Sequence, residues 1–82
     1  MKFSKLPKKH QKLISKFFNE IGIQGLLNFC NYKLMDKAPI PDTYYSYSVT
    51  IDDKWFMIGI DYEENLIYMH NHKITFKQMK IK

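Results

Sequence analysis

Residues 44–69 read YYSYSVTIDDKWFMIGIDYEENLIYM, and their alternation decides the fold. From Tyr44 to Ile51, the side chains of Tyr45, Tyr47, Val49 and Ile51 point one way and those of Tyr44, Ser46, Ser48 and Thr50 the other. A period of two in aromatic and β-branched residues is the pattern of a half-buried strand. The next run, Lys54 to Tyr62, sets Phe56, Ile58, Ile60 and Tyr62 on one side and Trp55, Met57, Gly59 and Asp61 on the other, so both sides are partly apolar. With Asp52-Asp53 as a two-residue turn, Val49 faces Phe56, Tyr47 faces Ile58 and Tyr45 faces Ile60, whereas a one-residue slip would set Tyr47 against Gly59. Asp-Asp is a weaker turn former than Asp-Gly, and a longer loop in the same register is the alternative.

A second turn is expected at Glu63-Glu64-Asn65, with Asn65 left-handed in a three-residue loop that pairs Tyr62 with Leu66 and Ile60 with Tyr68. The strand from Leu66 to His70 is apolar on both faces, which implies a central position or a second covering element. After Asn71 and His72, Ile74 to Ile81 changes apolar parity between Phe76 and Met79, so a strand there needs a bulge near Lys77. Thr75 followed by Gln78 also has the form of a capping box. The lysines at 73, 77, 80 and 82 favour an edge strand, because lysine discourages pairing with another chain.

Upstream, Lys5 to Ile21 carries Leu6, Leu13, Ile14, Phe17, Phe18 and Ile21 at helical spacing, with Ser4 as the cap, Pro7 in the first turn and Gly22 as the stop. A second short helix over about Gln24 to Asn31 is expected, weakened by Gly25, Asn28 and Asn31. Ala38-Pro39-Ile40-Pro41-Asp42 reads as a linker. The expected fold is therefore α+β: an N-terminal amphipathic helix, plus a short second helix, packed on an antiparallel β-meander of three to four strands. A single domain spans 1–82, with a helical half at 4–36, a proline-containing linker at 37–43 and the meander at 44–82.

A chain of 82 residues buries about 60% of the surface its unfolded form exposes, which disfavours a deep enclosed active site. With 45% hydrophobic residues it has ample material for a core, and it has no apolar run long enough to span a bilayer. The basic start is not followed by a signal-peptide core, and the one cysteine, Cys30, cannot staple the fold; both favour the cytoplasm. All 13 basic residues are lysine, in a composition rich in Ile, Asn, Tyr and Phe that suggests an AT-rich genome, and small open reading frames of that character often encode phage or mobile-element accessory proteins. Without arginine there is no guanidinium fork for guanine or for a buried carboxylate. The net charge of +5 is segregated, with lysines at both ends and Asp52, Asp53, Asp61, Glu63 and Glu64 at the hairpin tips.

Sites of chemistry are sparse. His70 and His72 share a strand face and, with His10 and Cys30, have the residue types of a tetrahedral zinc site, but without any CxxC or HExxH spacing they read as hairpin residues and no metal is expected. Cys30 reads as a small buried hydrophobe, Ser46 and Ser48 lie on a strand without a nucleophile elbow, and no glycine-rich phosphate loop occurs. The expected class is thus a protein without enzymatic activity or cofactor. Two roles remain. In the first, a protein-interaction module docks on a host protein, which it inhibits, or on a second copy through the second sheet face, where Tyr44, Trp55, Met57 and Ile67 or Met69 exceed what one helix layer covers. In the second, Lys8, Lys9, Lys12 and Lys16 of the first helix contact nucleic acid.

Overall fold

The computed structural model describes residues 1–35, 43–71 and 75–81. A 3-10 turn at Phe3–Lys5 leads into helix α1, Lys8–Glu20, and a second 3-10 turn, Gln24–Leu26, leads into the strands. These are β1 (Asn31–Leu34), β2 (Tyr44–Ile51), β3 (Lys54–Asp61), β4 (Leu66–His70) and β5 (Thr75–Lys80). They form one five-stranded sheet in the order β1-β2-β3-β4-β5, each neighbouring pair antiparallel. The α+β class is the expected one, with five strands instead of three to four. The additional strand is β1, which begins where the second helix, expected over about Gln24 to Asn31, was to end. Cys30 and Tyr32 are buried while Asn31 and Lys33 between and beyond them are exposed, a period of two that suits a strand, and Tyr32 pairs with Val49. Only the turn at Gln24–Leu26 remains of the helix, in a segment where Gly25 and Asn28 give little helical propensity.

Between β2 and β3 the alternation and the observed register agree: Val49 pairs with Phe56, Tyr47 with Ile58 and Tyr45 with Ile60. The turn has two residues, Asp52 at φ 47° and Asp53 at φ 64°, the paired left-handed conformations of a type I′ turn whose twist matches that of the strands. Aspartate tolerates this region less well than Asn-Gly does.

The second hairpin departs from expectation by one residue. Asp61 pairs with Leu66 and Ile60 with Ile67, so the loop is Tyr62 to Asn65 instead of Glu63 to Asn65. Two interactions account for the shift. Asp61 Oδ1 accepts from the backbone N–H groups of Glu63 (3.1 Å) and Glu64 (3.0 Å), closing a side-chain turn. The Tyr62 N–H donates 2.7 Å to Thr43 O, on the β2 side, and so is drawn away from β4. Asn65 is left-handed as expected, at φ 56°. Because side chains alternate, the shift places Ile67 and Met69 on the α1 side and Leu66, Tyr68 and His70 on the other. The tail is an edge strand rather than a helix. Its register passes from Met69–Lys77 to His70–Thr75, leaving Phe76 as the extra residue beside the expected bulge position.

Helix α1 starts later than its apolar pattern suggests, and Ser4 does not cap it: Pro7 occupies the cap position without a side-chain bond. The residue before a proline disfavours helical backbone, and Leu6 is extended at ψ 156°. The C-terminus closes as expected on Gly22, at φ 82°, where Ile23 N–H donates to Phe18 O (2.8 Å) and Gly22 N–H to Asn19 O (3.2 Å). Ile14, Phe17 and Phe18 of α1 meet Tyr32, Tyr47, Val49, Ile58, Ile60 and Ile67 in one core. Burial of side chains of this size contributes about 1.5–3 kcal/mol each before entropy is counted. The linker residues Ala38 to Asp42 and His72 lie outside the described residues.

The strained aspartate turn yields a first prediction. Replacing Asp52-Asp53 by Asn-Gly, the residues type I′ geometry prefers, will stabilise the protein by about 0.5–1 kcal/mol in urea unfolding. Unchanged or lower stability would mean the turn is not type I′.

Candidate functional site

The sheet face turned away from α1 is built by parity from alternate residues of the strands. Across its middle run Ser46, Gly59, Tyr68 and Gln78, and beside them Lys33, Ser48, Met57 and His70. One end carries Tyr44, Asp61, Leu66 and Lys80; the other carries Asn31, Thr50 and Trp55. The expected trio therefore shares a face but not a single spot. Tyr44 and Trp55 are six strand positions apart, roughly 20 Å, with Met57 two positions from Trp55. Trp55 is 40% exposed, and its indole N–H donates 2.6 Å to Ser48 Oγ. Tyr44 and Met57 are half-buried. Ile67 and Met69, expected as alternatives for this face, belong to the core side because of the register shift.

That shift also brings Tyr68 to this face. Its ring lies over Gly59 so closely that a methyl group there would come within 2.4 Å of Cζ, and its hydroxyl bonds that of Tyr44 at 2.7 Å. Burial and this bond push the Tyr68 phenol well above its ordinary pKa. His70 packs beside it, with ring centroids 5.1 Å apart. Ser46 is 7% exposed in register with Gly59, and neither its hydroxyl nor His70 Nε2 has a hydrogen-bond partner among the described residues. Lys33 and Lys80 stand exposed at the two edges.

The remaining reactive side chains lie on the α1 side. His10, 4% exposed, shares a 2.6 Å hydrogen bond between Nδ1 and the Tyr47 hydroxyl and meets Tyr45 edge-on, with centroids 4.4 Å apart. Tyr62 stacks at 6.2 Å, and Lys9 Nζ sits 4.1 Å above the Tyr62 ring. Burial first, and the Lys9 charge second, lower the His10 pKa. Burial likewise pushes the Tyr47 phenol up to about 12. A lone histidine on a lysine-rich helix gave no sign of this cluster in the sequence. Its helical phase with Ile14 and Phe17 places it on the buried stripe, and that was the available signal. Cys30 is in the core, and burial raises its thiol pKa, which suppresses the nucleophilic thiolate. His10 and Cys30 are thus separated from His70 by the sheet. Among the described residues no group of three or more His, Cys, Asp and Glu gathers.

The expected lysines split. Lys9 turns to Tyr62, Lys12 and Lys16 border an open groove on the other flank of α1, and Lys8 is exposed. No described helix is long and apolar enough to cross a membrane. No family model, curated protein or solved structure matches the chain.

Two predictions follow from these contacts. Gly59→Ala will cost about 1–3 kcal/mol by displacing Tyr68 from its place on the face, and in a Tyr68→Ala background the same change will cost little. Equal costs in both backgrounds, measured by urea unfolding, would exclude the contact. The second concerns pH. The unfolded chain protonates His10 near 6.5 and the folded chain only at lower pH, so the unfolded state binds more protons between the two values. Stability will therefore be full above pH 6.5, fall as pH drops through 6.5 and cease to fall from this cause below the folded value. His10→Gln will remove this component of the pH dependence of the urea midpoint, and an unchanged slope would contradict it.

Proposed function

We propose that this chain is a small non-enzymatic protein-interaction module whose working surface is the sheet face opposite α1. The observation that carries the reading is Trp55, 40% exposed beside Met57 on a face that also holds Tyr44, Leu66 and Tyr68. Tryptophan, tyrosine and methionine are the residue types enriched at the centres of interfaces. Lys33 and Lys80 at the edges suit a partner with an apolar centre and carboxylates at its rim. The absence of catalytic chemistry is part of the proposal, supported by a cysteine sealed in the core, a histidine held among tyrosines, and serines on strand positions. A phage or mobile-element accessory protein that blocks a host protein in the cytoplasm fits the lysine-only, AT-rich composition.

Trp55→Ala and Met57→Ala will abolish capture of the same protein partner from nuclease-treated host extract, while each lowers stability by less than about 3 kcal/mol in urea unfolding. A larger loss of stability would make Trp55 a core residue, and capture unaffected by either change would remove this face from the interaction. Sedimentation of the isolated protein distinguishes a heterologous partner from a second copy.

A further inference from the structure

The sheet-face reading leaves the lysine stripe of α1 without a role, and that stripe borders a groove. Lys8, Lys12 and Lys16 succeed one another at i, i+4 spacing, within a helical arc of roughly 80°. Beside them an open groove of about 420 Å³ is lined by Phe3 and Gln24 from the two 3-10 turns and by Gln11, Lys12, Ser15, Lys16 and Asn19 from α1. Glu20, the only acid of α1, does not line it. The walls are held in place from behind. Gln11 Nε2 donates to Leu6 O (2.7 Å) and Ser4 O (3.2 Å), which fixes the first turn against the helix. The Phe3 ring packs 6.0 Å from that of Tyr32, whose backbone in turn bonds residue 1 at 2.6 and 2.9 Å.

We propose that this groove binds single-stranded nucleic acid, with phosphates between Lys12 and Lys16 and a base against the Phe3 ring. Cationic side chains that follow a backbone, together with an aromatic ring for stacking, are the recurring parts of single-strand sites. Ser15 and Asn19 add neutral hydrogen-bonding groups between the charges. An acidic peptide would use the lysines without requiring a ring for stacking bases, and competition by polyglutamate tests for it. Double-helical DNA fits less well, because one short stripe without arginine contacts few phosphates and reads no base edge.

The test is fluorescence anisotropy with labelled oligo-dT and oligo-rU, starting near 50 mM salt. Micromolar binding is expected, with a slope of log K against log salt of about −1.4, from Lys12 and Lys16 at roughly 0.7 each. Lys12→Glu with Lys16→Glu will weaken it about tenfold or more, and Phe3→Leu about tenfold with an unchanged salt slope. Lys33→Glu with Lys80→Glu, on the other face, will change it less than about threefold. Binding of either sugar supports the site, and the preference between them identifies DNA or RNA. No binding at low salt, equal loss from the two lysine pairs, or equal competition by polyglutamate overturns it. Polyglutamate competition and the exposed Lys12 and Lys16 decide the matter even where circular dichroism shows that Phe3→Leu unfolds the protein.

Discussion

The pairing of Tyr47 with Ile58 is the constraint on which the other placements depend. In a sheet with a period of two, one pair in register assigns every residue of both strands to a face, and each further strand inherits that assignment. Tyr47 also reaches through the core side to His10, so the same pair that sets the register locates α1. The helix then covers Val49, Ile58, Ile60 and Ile67, and the face of Trp55 and Tyr68 is what lies behind it. A slip at this pair would invert both surfaces at once.

How far this was legible in the residues depends on how local the deciding contacts are. The β2–β3 register could be read because both strands alternate and the alternatives waste apolar surface. Gly22 as a helix stop and Asn65 as a left-handed residue could be read because each conformation suits few residue types. The second hairpin could not be read to the residue, since Leu66 to His70 is apolar on both faces and gives no parity. There the register depends on the Tyr62 N–H reaching Thr43 O, which only the folded chain brings near, and on an Asp61 side-chain turn that is local but leaves no mark on the apolar pattern. β1 was hidden for a similar reason: its four residues acquire strand structure by pairing with β2, and their own propensity is weak. The site followed suit. Trp55, Met57 and Tyr44 were assigned to a common face from alternation alone, whereas Tyr68 and His70 required the register of β4.

The two proposed surfaces differ in physics and lie on opposite sides of the sheet. The outer face is aromatic and partly ordered by its own hydrogen bonds, Tyr44 to Tyr68 and Trp55 to Ser48, so little rotamer freedom remains to be lost on contact. The groove beside α1 is cationic and polar, and its attraction for a ligand weakens with salt. Between them the buried His10 among tyrosines joins helix to sheet, in surroundings whose burial disfavours a charged imidazole.

The pairing of β4 sets Tyr68 on the outer face, over Gly59. Proton–proton contacts measured by NMR test it most directly. Strong cross-peaks are expected from the Tyr68 ring to the Gly59 α-protons, which the ring should shift upfield, and from Ile67 to Ile60 across the core side. Contacts from the Tyr68 ring to Ile60, with Leu66 opposite Tyr62, would contradict it and exchange the residues of the two faces.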